Sequence, residues 1–216
     1  MGLLRTALPY FGTVIALAAA DAALAQQRTQ QAGIPTAPAW YAGAGAGVSY
    51  YNLNGQDFNT TTIPSLAGQG IDETGFGWKL FGGYRFSPYF GLEGSYVDLG
   101  QTSGGLQYSV HSWNVAGVGR IPFATGFSLQ LKVGAAFTRT QSAPFGQSVG
   151  NINYKTNLLL GGGVGYDFPS GVGVLAEAEW YGRTGNPTAF DPTTGLVSGT
   201  GRADTFLFSV SSMVRF

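Results

Sequence analysis

The chain contains no cysteine, one histidine and few charges. Without cysteine there is no disulfide framework, no thiolate metal site and no acylatable residue of the kind a lipoprotein needs. Charged residues make up 10% of the 216 positions, against about 25% in an average soluble domain. Acids and bases balance at 11 each, so no basic stripe is available for phosphate backbones, and nucleic acid is not an expected partner. Long apolar runs are missing too. Beyond the N-terminus, no stretch approaches the ~20 residues a membrane-spanning helix requires. The chain is rich instead in glycine, with 35 residues, and in aromatics, at 14%.

The first 25 residues read as a signal peptide. Arg5 gives a positive n-region, Ala7 to Ala20 holds the apolar segment, and Ala23-Leu24-Ala25 fits the small-residue cleavage pattern. Asp21 is unusual so near the cleavage site, and a retained anchor is the alternative. Residues 26–39, QQRTQQAGIPTAPA, are polar and interrupted by Pro35 and Pro38, as expected of a flexible periplasmic leader. The remainder, 40–216, reads as one domain.

From Trp40 onward the apolar period is two, the strand signature. Trp40, Ala42, Ala44, Ala46, Val48 and Tyr50 share one face of the first strand. Phe76, Trp78, Leu80, Gly82, Tyr84 and Phe86 share one face of the second. Phe90, Leu92, Gly94 and Tyr96 follow, then Phe127, Leu129, Leu131, Val133, Ala135 and Phe137. Leu158 to Phe168, Val174 to Trp180 and Phe206 to Phe216 repeat the pattern. A strand over roughly 108–121 makes eight, but Trp113, Val115 and Ile121 favour one register while Ala116 and Val118 favour the other, so its facing is open. Connections alternate in length. Short ones fall at Ser87-Pro88, near 123–126 and at 169–171, and long ones at about 52–73, 99–107, 140–153 and 183–203.

Alternation alone also suits a sandwich with its apolar face inside. Size decides between them. The apolar faces are bulky, whereas the opposite faces carry mainly glycine, serine, threonine and scattered charges. An eight-stranded lumen is narrow, so the expectation is a small polar interior and a bulky face turned to lipid. Trp40, Tyr84, Phe86, Phe127, Tyr166 and Phe216 fall near the short-turn end, and Tyr50, Trp78, Tyr96, Phe137 and Trp180 near the loop end. Two such belts suit the wet and apolar sides of a membrane interface. An open sheet edge in lipid would leave peptide groups unpaired, so the sheet must close. The expected fold is all-β: an eight-stranded antiparallel up-and-down transmembrane β-barrel. A ten-stranded barrel using part of the first long loop is the alternative.

Phe81-Gly-Gly-Tyr-Arg-Phe-Ser-Pro-Tyr-Phe-Gly-Leu-Glu-Gly-Ser-Tyr-Val-Asp-Leu-Gly100 resembles the second hairpin of the OmpA transmembrane domain and of small opacity-type surface-antigen barrels. Gly162-Gly-Val-Gly-Tyr166 and Ser209 to Phe216 are similar to later strands of that family. The resemblance implies a Gram-negative outer-membrane location, contact with outer-membrane lipid and lipopolysaccharide, and a monomer without cofactor. It also implies a terminal aromatic, Phe216, read by the barrel assembly machinery. The family's peptidoglycan-binding domain is not expected after Phe216. Gly165 stands where the family carries an internal acid.

The predicted lumen holds Lys79, Arg85, Glu93, Lys132, Glu177 and Glu179, and charges so placed must pair. The resemblance implies that Glu93, Lys132 and Glu177 form an ionic network that closes, or gates, the barrel. Envelope integrity and loop-mediated contact with host or phage ligands are the expected roles. A narrow porin-like channel comes second and a lipid A-modifying enzyme third. For the enzyme, His111 is the one base, with Ser109 on its face and Asp98 or Glu179 as candidate acids, which makes a weak triad. Gly161-Gly-Gly-Val-Gly165 lies in a strand and is no phosphate loop. Asp72-Glu73 and Asp191 lack metal spacing, and Asn59-Thr-Thr is a glycosylation sequon of little weight in this setting.

Overall fold

Eight of the period-two segments form long strands that close on themselves. The computed structural model describes residues 38–53, 74–101, 106–144, 151–187, 189–191, 196–198, 200 and 202–216. The expected signal peptide, most of the leader, the Asn59 sequon and Asp72-Glu73 lie outside the described residues. The strands are β1 (Ala39–Leu53), β2 (Thr74–Arg85), β3 (Phe90–Gln101), β4 (Leu106–Ala124), β5 (Phe127–Pro144), β6 (Asn151–Asp167), β7 (Val172–Thr184), β8 (Ala189–Asp191), β9 (Leu196–Ser198) and β10 (Ala203–Arg215). The ring order is β1-β10-β7-β6-β5-β4-β3-β2, while β8 and β9 form a separate two-stranded sheet. The barrel therefore has eight strands, and the ten-stranded alternative is excluded because β1 already pairs with both β2 and β10.

Closure runs to the last residue. β1 and β10 pair antiparallel from Tyr41 opposite Arg215 to Leu53 opposite Ala203. Trp40 N–H then donates to the Phe216 carbonyl at 3.1 Å, and Phe216 N–H donates to the Trp40 carbonyl at 3.0 Å. At the short-turn end, Ser87 Oγ accepts from the amides of Tyr89 and Phe90, at 3.2 and 3.1 Å. Gly126 and Gly171 take positive φ, 77° and 88°, in the other two turns, a conformation glycine adopts without strain.

The connections at the opposite end are shorter than expected. β5 and β6 continue to Pro144 and from Asn151, with Ser142 paired to Asn151. β3 and β4 leave only 102–105 between them. The last long connection contains the β8–β9 pair. Beyond the membrane both faces of a strand are wet, so the alternation that marks a lipid-facing strand disappears while the backbone ladder continues.

β4 resolves to one facing. Trp113, Val115 and Ile121 project outward, at least half exposed, while Tyr108, Val110, Ser112, Asn114, Ala116, Val118 and Arg120 are buried inside. Its inward face is partly apolar, which is why alternation could not orient it. The lumen also differs from the small polar interior expected. Tyr51, Val97, Leu99, Tyr108, Val110, Leu159, Tyr181 and Leu207 cluster in its loop-side half, and Tyr41, Phe81 and Met213 in its turn-side half. The glycines make room for these side chains. A Cβ on Gly83 would lie 2.5 Å from the Tyr41 hydroxyl.

On the outside, aromatic contacts cross strands at both ends. Trp40–Tyr84 centroids lie 4.9 Å apart and Phe127–Tyr166 4.7 Å at the turn end. Trp78–Tyr96 lie 5.6 Å apart and Tyr96–Trp113 4.9 Å at the loop end. Between the belts Leu131 projects from the wall, 51% exposed. An arginine there would place a charge at the bilayer midplane, so Leu131→Arg is expected to lower stability by about 2–4 kcal/mol, read by denaturant unfolding in lipid vesicles. Gln141→Arg, at an exposed position on the strand extension, is expected to change it little.

Candidate functional site

The charged side chains of the lumen lie on seven strands of the ring and fall into two groups. In the central group, Lys132 of β5 reaches Glu93 of β3 at 2.8 Å and both acids of β7, Glu177 at 2.5 Å and Glu179 at 3.0 Å. Lys79 of β2 pairs with Glu177 and lies 3.2 Å from Glu179. All five are almost wholly buried. Glu177 and Glu179 sit two residues apart, so the pleat puts both on the inner face. Gly161 and Gly163 of β6 lie opposite them in register. A Cβ on Gly163 would come within 2.9 Å of Glu177 Cβ. The bare glycine backbone there makes the space the carboxylates occupy.

Two tyrosines complete the hydrogen bonding. Tyr41 OH donates to Glu93 Oε2 at 2.9 Å, and Tyr181 OH donates to Glu179 Oε2 at 3.0 Å. Three carboxylates therefore face two ammonium groups and two phenol donors. A buried charge is tolerated when paired and hydrogen-bonded on its remaining atoms, and this group meets both conditions.

Arg85 belongs elsewhere. It lies in a turn-side group with Arg120, Arg215 and Asp167. Arg120 pairs with Asp167 and donates from Nε to Ser128 Oγ at 2.7 Å. Arg85 and Arg215 each stand 3.9 Å from the same carboxylate. Arg85 also packs over the Tyr41 ring at 5.2 Å. Of the six charges singled out from sequence, the fold brings five together and separates the sixth. Arg120, Asp167 and Arg215 were missed. Parity puts Asp167 and Arg215 on the inward faces of their strands, whereas Arg120 depended on the open facing of β4. Asp167 also supplies an acid on β6, one pleat beyond the Gly165 position that lacks it.

Above the central group the apolar cluster fills the lumen. Its polar atoms are bonded within the wall. Tyr51 OH donates to the Leu99 carbonyl at 2.7 Å, and the hydroxyls of Tyr108 and Thr184 lie 3.0 Å apart.

His111 is on the outer surface. Its Nδ1 lies 3.5 Å from Asp98 Oδ1 and 3.4 Å from the Tyr96 hydroxyl. Asp98 is thus its acidic neighbour, while Glu179 is committed to the lumen. No serine hydroxyl hydrogen-bonds His111 among the described residues, so no nucleophile is activated there in the manner of a triad.

The model of the OmpA-like transmembrane domain matches residues 35–199. No curated protein compared with the chain matches it. Among solved structures, Neisserial surface protein A is similar with a TM-score of 0.56 at 15% identity, covering 83% of this chain and 99% of its own. Ail, the attachment invasion locus protein of Yersinia pestis, gives 0.51 at 18%, covering 84% and 100%. The outer membrane protein OprG from Pseudomonas aeruginosa gives 0.51 at 13%, covering 85% and 99%. At these identities the likeness is one of fold.

Removing one lysine leaves buried carboxylates underpaired. Lys132→Gln is expected to cost about 3–5 kcal/mol, read as a lower unfolding temperature by heat-modifiable gel mobility. Adding Glu93→Gln is expected to restore part of the loss. Equal loss in the single and double variants would show that the charges are not coupled.

Proposed function

The chain belongs to the OmpA-like transmembrane domain family, and from that premise we propose that it is a sealed outer-membrane barrel with a structural and surface-interaction role. Its location is the Gram-negative outer membrane and its fold an eight-stranded barrel. The observation that carries the functional reading is the double filling of the lumen: a paired ionic layer beneath an apolar layer. Such a stack leaves little room for water and ions in the lumen.

A sealed barrel contributes by what it anchors and what it contacts. The strand extensions at the loop end hold the outer connections on a rigid base, the arrangement in which loops carry recognition. Adhesion to host surfaces and recognition by phage are the interactions we assign to this end, with lipopolysaccharide and outer-leaflet lipid around the wall. The barrel assembly machinery engages β10, with Phe216 as the terminal signal, and the barrel functions as a monomer.

A narrow channel is the second reading, favoured by the charged lumen and by the loose 3.9 Å contacts of Arg85 and Arg215 with Asp167. It requires both filled layers to move. In planar bilayers the wild type and Lys132→Ala are expected to show no discrete openings, and regular unitary openings in either would favour the channel. Deleting 189–198 is expected to reduce binding of expressing cells to host-cell surfaces while leaving gel mobility unchanged. Unaltered binding would remove the last outer connection from the proposal.

A further inference from the structure

The outer wall carries a groove that the sealed-barrel role does not use. It lies on the lipid-facing side across β3–β6, has a volume of about 620 Å³, and is lined by Tyr96, His111, Trp113, Phe137, Arg139 and Tyr154. Register builds it in two rows. Asp98, His111, Arg139 and Tyr154 lie side by side on successive strands, and Tyr96, Trp113, Phe137 and Thr156 form the row beneath. The upper row is polar. The lower one is the outer aromatic belt.

Two further cations line the groove beside His111: Arg139, and Lys155, whose Nζ donates to the Arg183 carbonyl at 2.8 Å. His111 has Asp98 beside it at 3.5 Å, whereas Arg139 has no ion-pair partner among the described residues. It projects outward, with Trp113 and Phe137 below it and Tyr154 on the next strand. These rings are open to the surroundings, at 66%, 50% and 73% exposure. Two residues along a strand correspond to about 6–7 Å, which sets Arg139 that far beyond the aromatic belt, at the level of lipid headgroups. A planar guanidinium offers a fork of donors that matches a phosphate.

We propose that this groove binds the phosphorylated headgroup of an outer-leaflet glycolipid. The phosphate lies on the Arg139 guanidinium, the sugar ring against the faces of Trp113 and Tyr154, and an acyl chain runs down the wall past Phe137 and Val133. A lipid is favoured as occupant because the groove opens sideways into the bilayer and continues into the apolar wall. A glycolipid is favoured because the groove is far larger than a phosphate and has two broad aromatic faces beside the cation. The inference rests on the orientation assumed above, with the long connections outside the cell.

The test uses the folded chain in phosphatidylcholine nanodiscs supplemented with bis-phosphorylated lipid A, with dephosphorylated lipid A, or with inorganic phosphate alone. The readouts are the unfolding temperature and tryptophan fluorescence. The phosphorylated lipid is expected to raise the unfolding temperature saturably. The dephosphorylated lipid is expected to do so weakly, and free phosphate not at all. Loss of one charge-assisted contact corresponds to about tenfold in affinity or more, so Arg139→Gln should require about tenfold more lipid A for half-saturation. Arg139→Lys should fall between, and Trp113→Leu should weaken binding without abolishing it. Arg183→Gln, an exposed cation outside the groove, should leave it unchanged. Equal weakening in Arg183→Gln and Arg139→Gln would reduce the effect to general charge and overturn the site. Equal stabilisation by dephosphorylated lipid, or stabilisation by inorganic phosphate alone, would overturn the assigned ligand. Protease protection of the loops in intact cells reads the orientation separately, so failure of that premise is distinguishable from failure of the groove.

Discussion

A peptide group facing hydrocarbon has no water to bond, and every other feature of this chain follows from that constraint. Each unsatisfied N–H or C=O costs several kcal/mol in lipid, so a sheet can enter the membrane only as a ring. Eight strands form the ring, and the terminal amide pair between Trp40 and Phe216 finishes it. Once the backbone is settled, the side chains have two solvents, lipid outside and a narrow enclosure within. The composition reflects both. Bulky apolar and aromatic residues face out, and glycines inside make way for a few large side chains.

The enclosure is layered along its axis. Arginines surround Asp167 at the turn side, lysines and glutamates interlock at the centre, and tyrosines, leucines and valines fill the loop side. Each layer depends on its neighbour through a tyrosine. Tyr41 connects the arginine and glutamate layers, touching Arg85 by its ring and Glu93 by its hydroxyl. Tyr181 belongs to the apolar cluster and donates to Glu179. The same side chains therefore satisfy charge and exclude water. That is how an apolar plug can rest on five buried charges without leaving their oxygens bare.

Much of this was legible before any coordinates because lipid imposes a strict period. The alternation Phe127-Leu129-Leu131-Val133 against Ser128-Gln130-Lys132 admits one facing, and the inward parity of Lys79, Lys132, Glu93, Glu177 and Glu179 follows from such runs. The period failed where the two solvents resembled each other. β4 has valines and alanines on both faces because its inner face meets the apolar plug, so Arg120 could not be placed. The strand extensions near Ile152 and Gln101 lie beyond the apolar alternation and read as loop. The bulk of the lumen has a different origin: Gly83 and Gly163 leave space that Tyr41 and Glu177 fill. Ser212, the smallest residue in the lipid-facing row of β10, pairs in register with Ala44 and Val174. It belongs to a stretch of small outward residues rather than interrupting a bulky one.

The order of the two ionic layers gives the cylinder an electrical polarity. At the centre two lysines face three glutamates, a balance of one negative charge, and at the turn side three arginines face one aspartate, a balance of two positive charges. A cation and an anion entering from opposite ends would thus meet these layers in opposite sequence. If the plug were loosened, the current would differ between the two signs of applied voltage. The fixed charge of the lumen is thus arranged asymmetrically along the barrel axis.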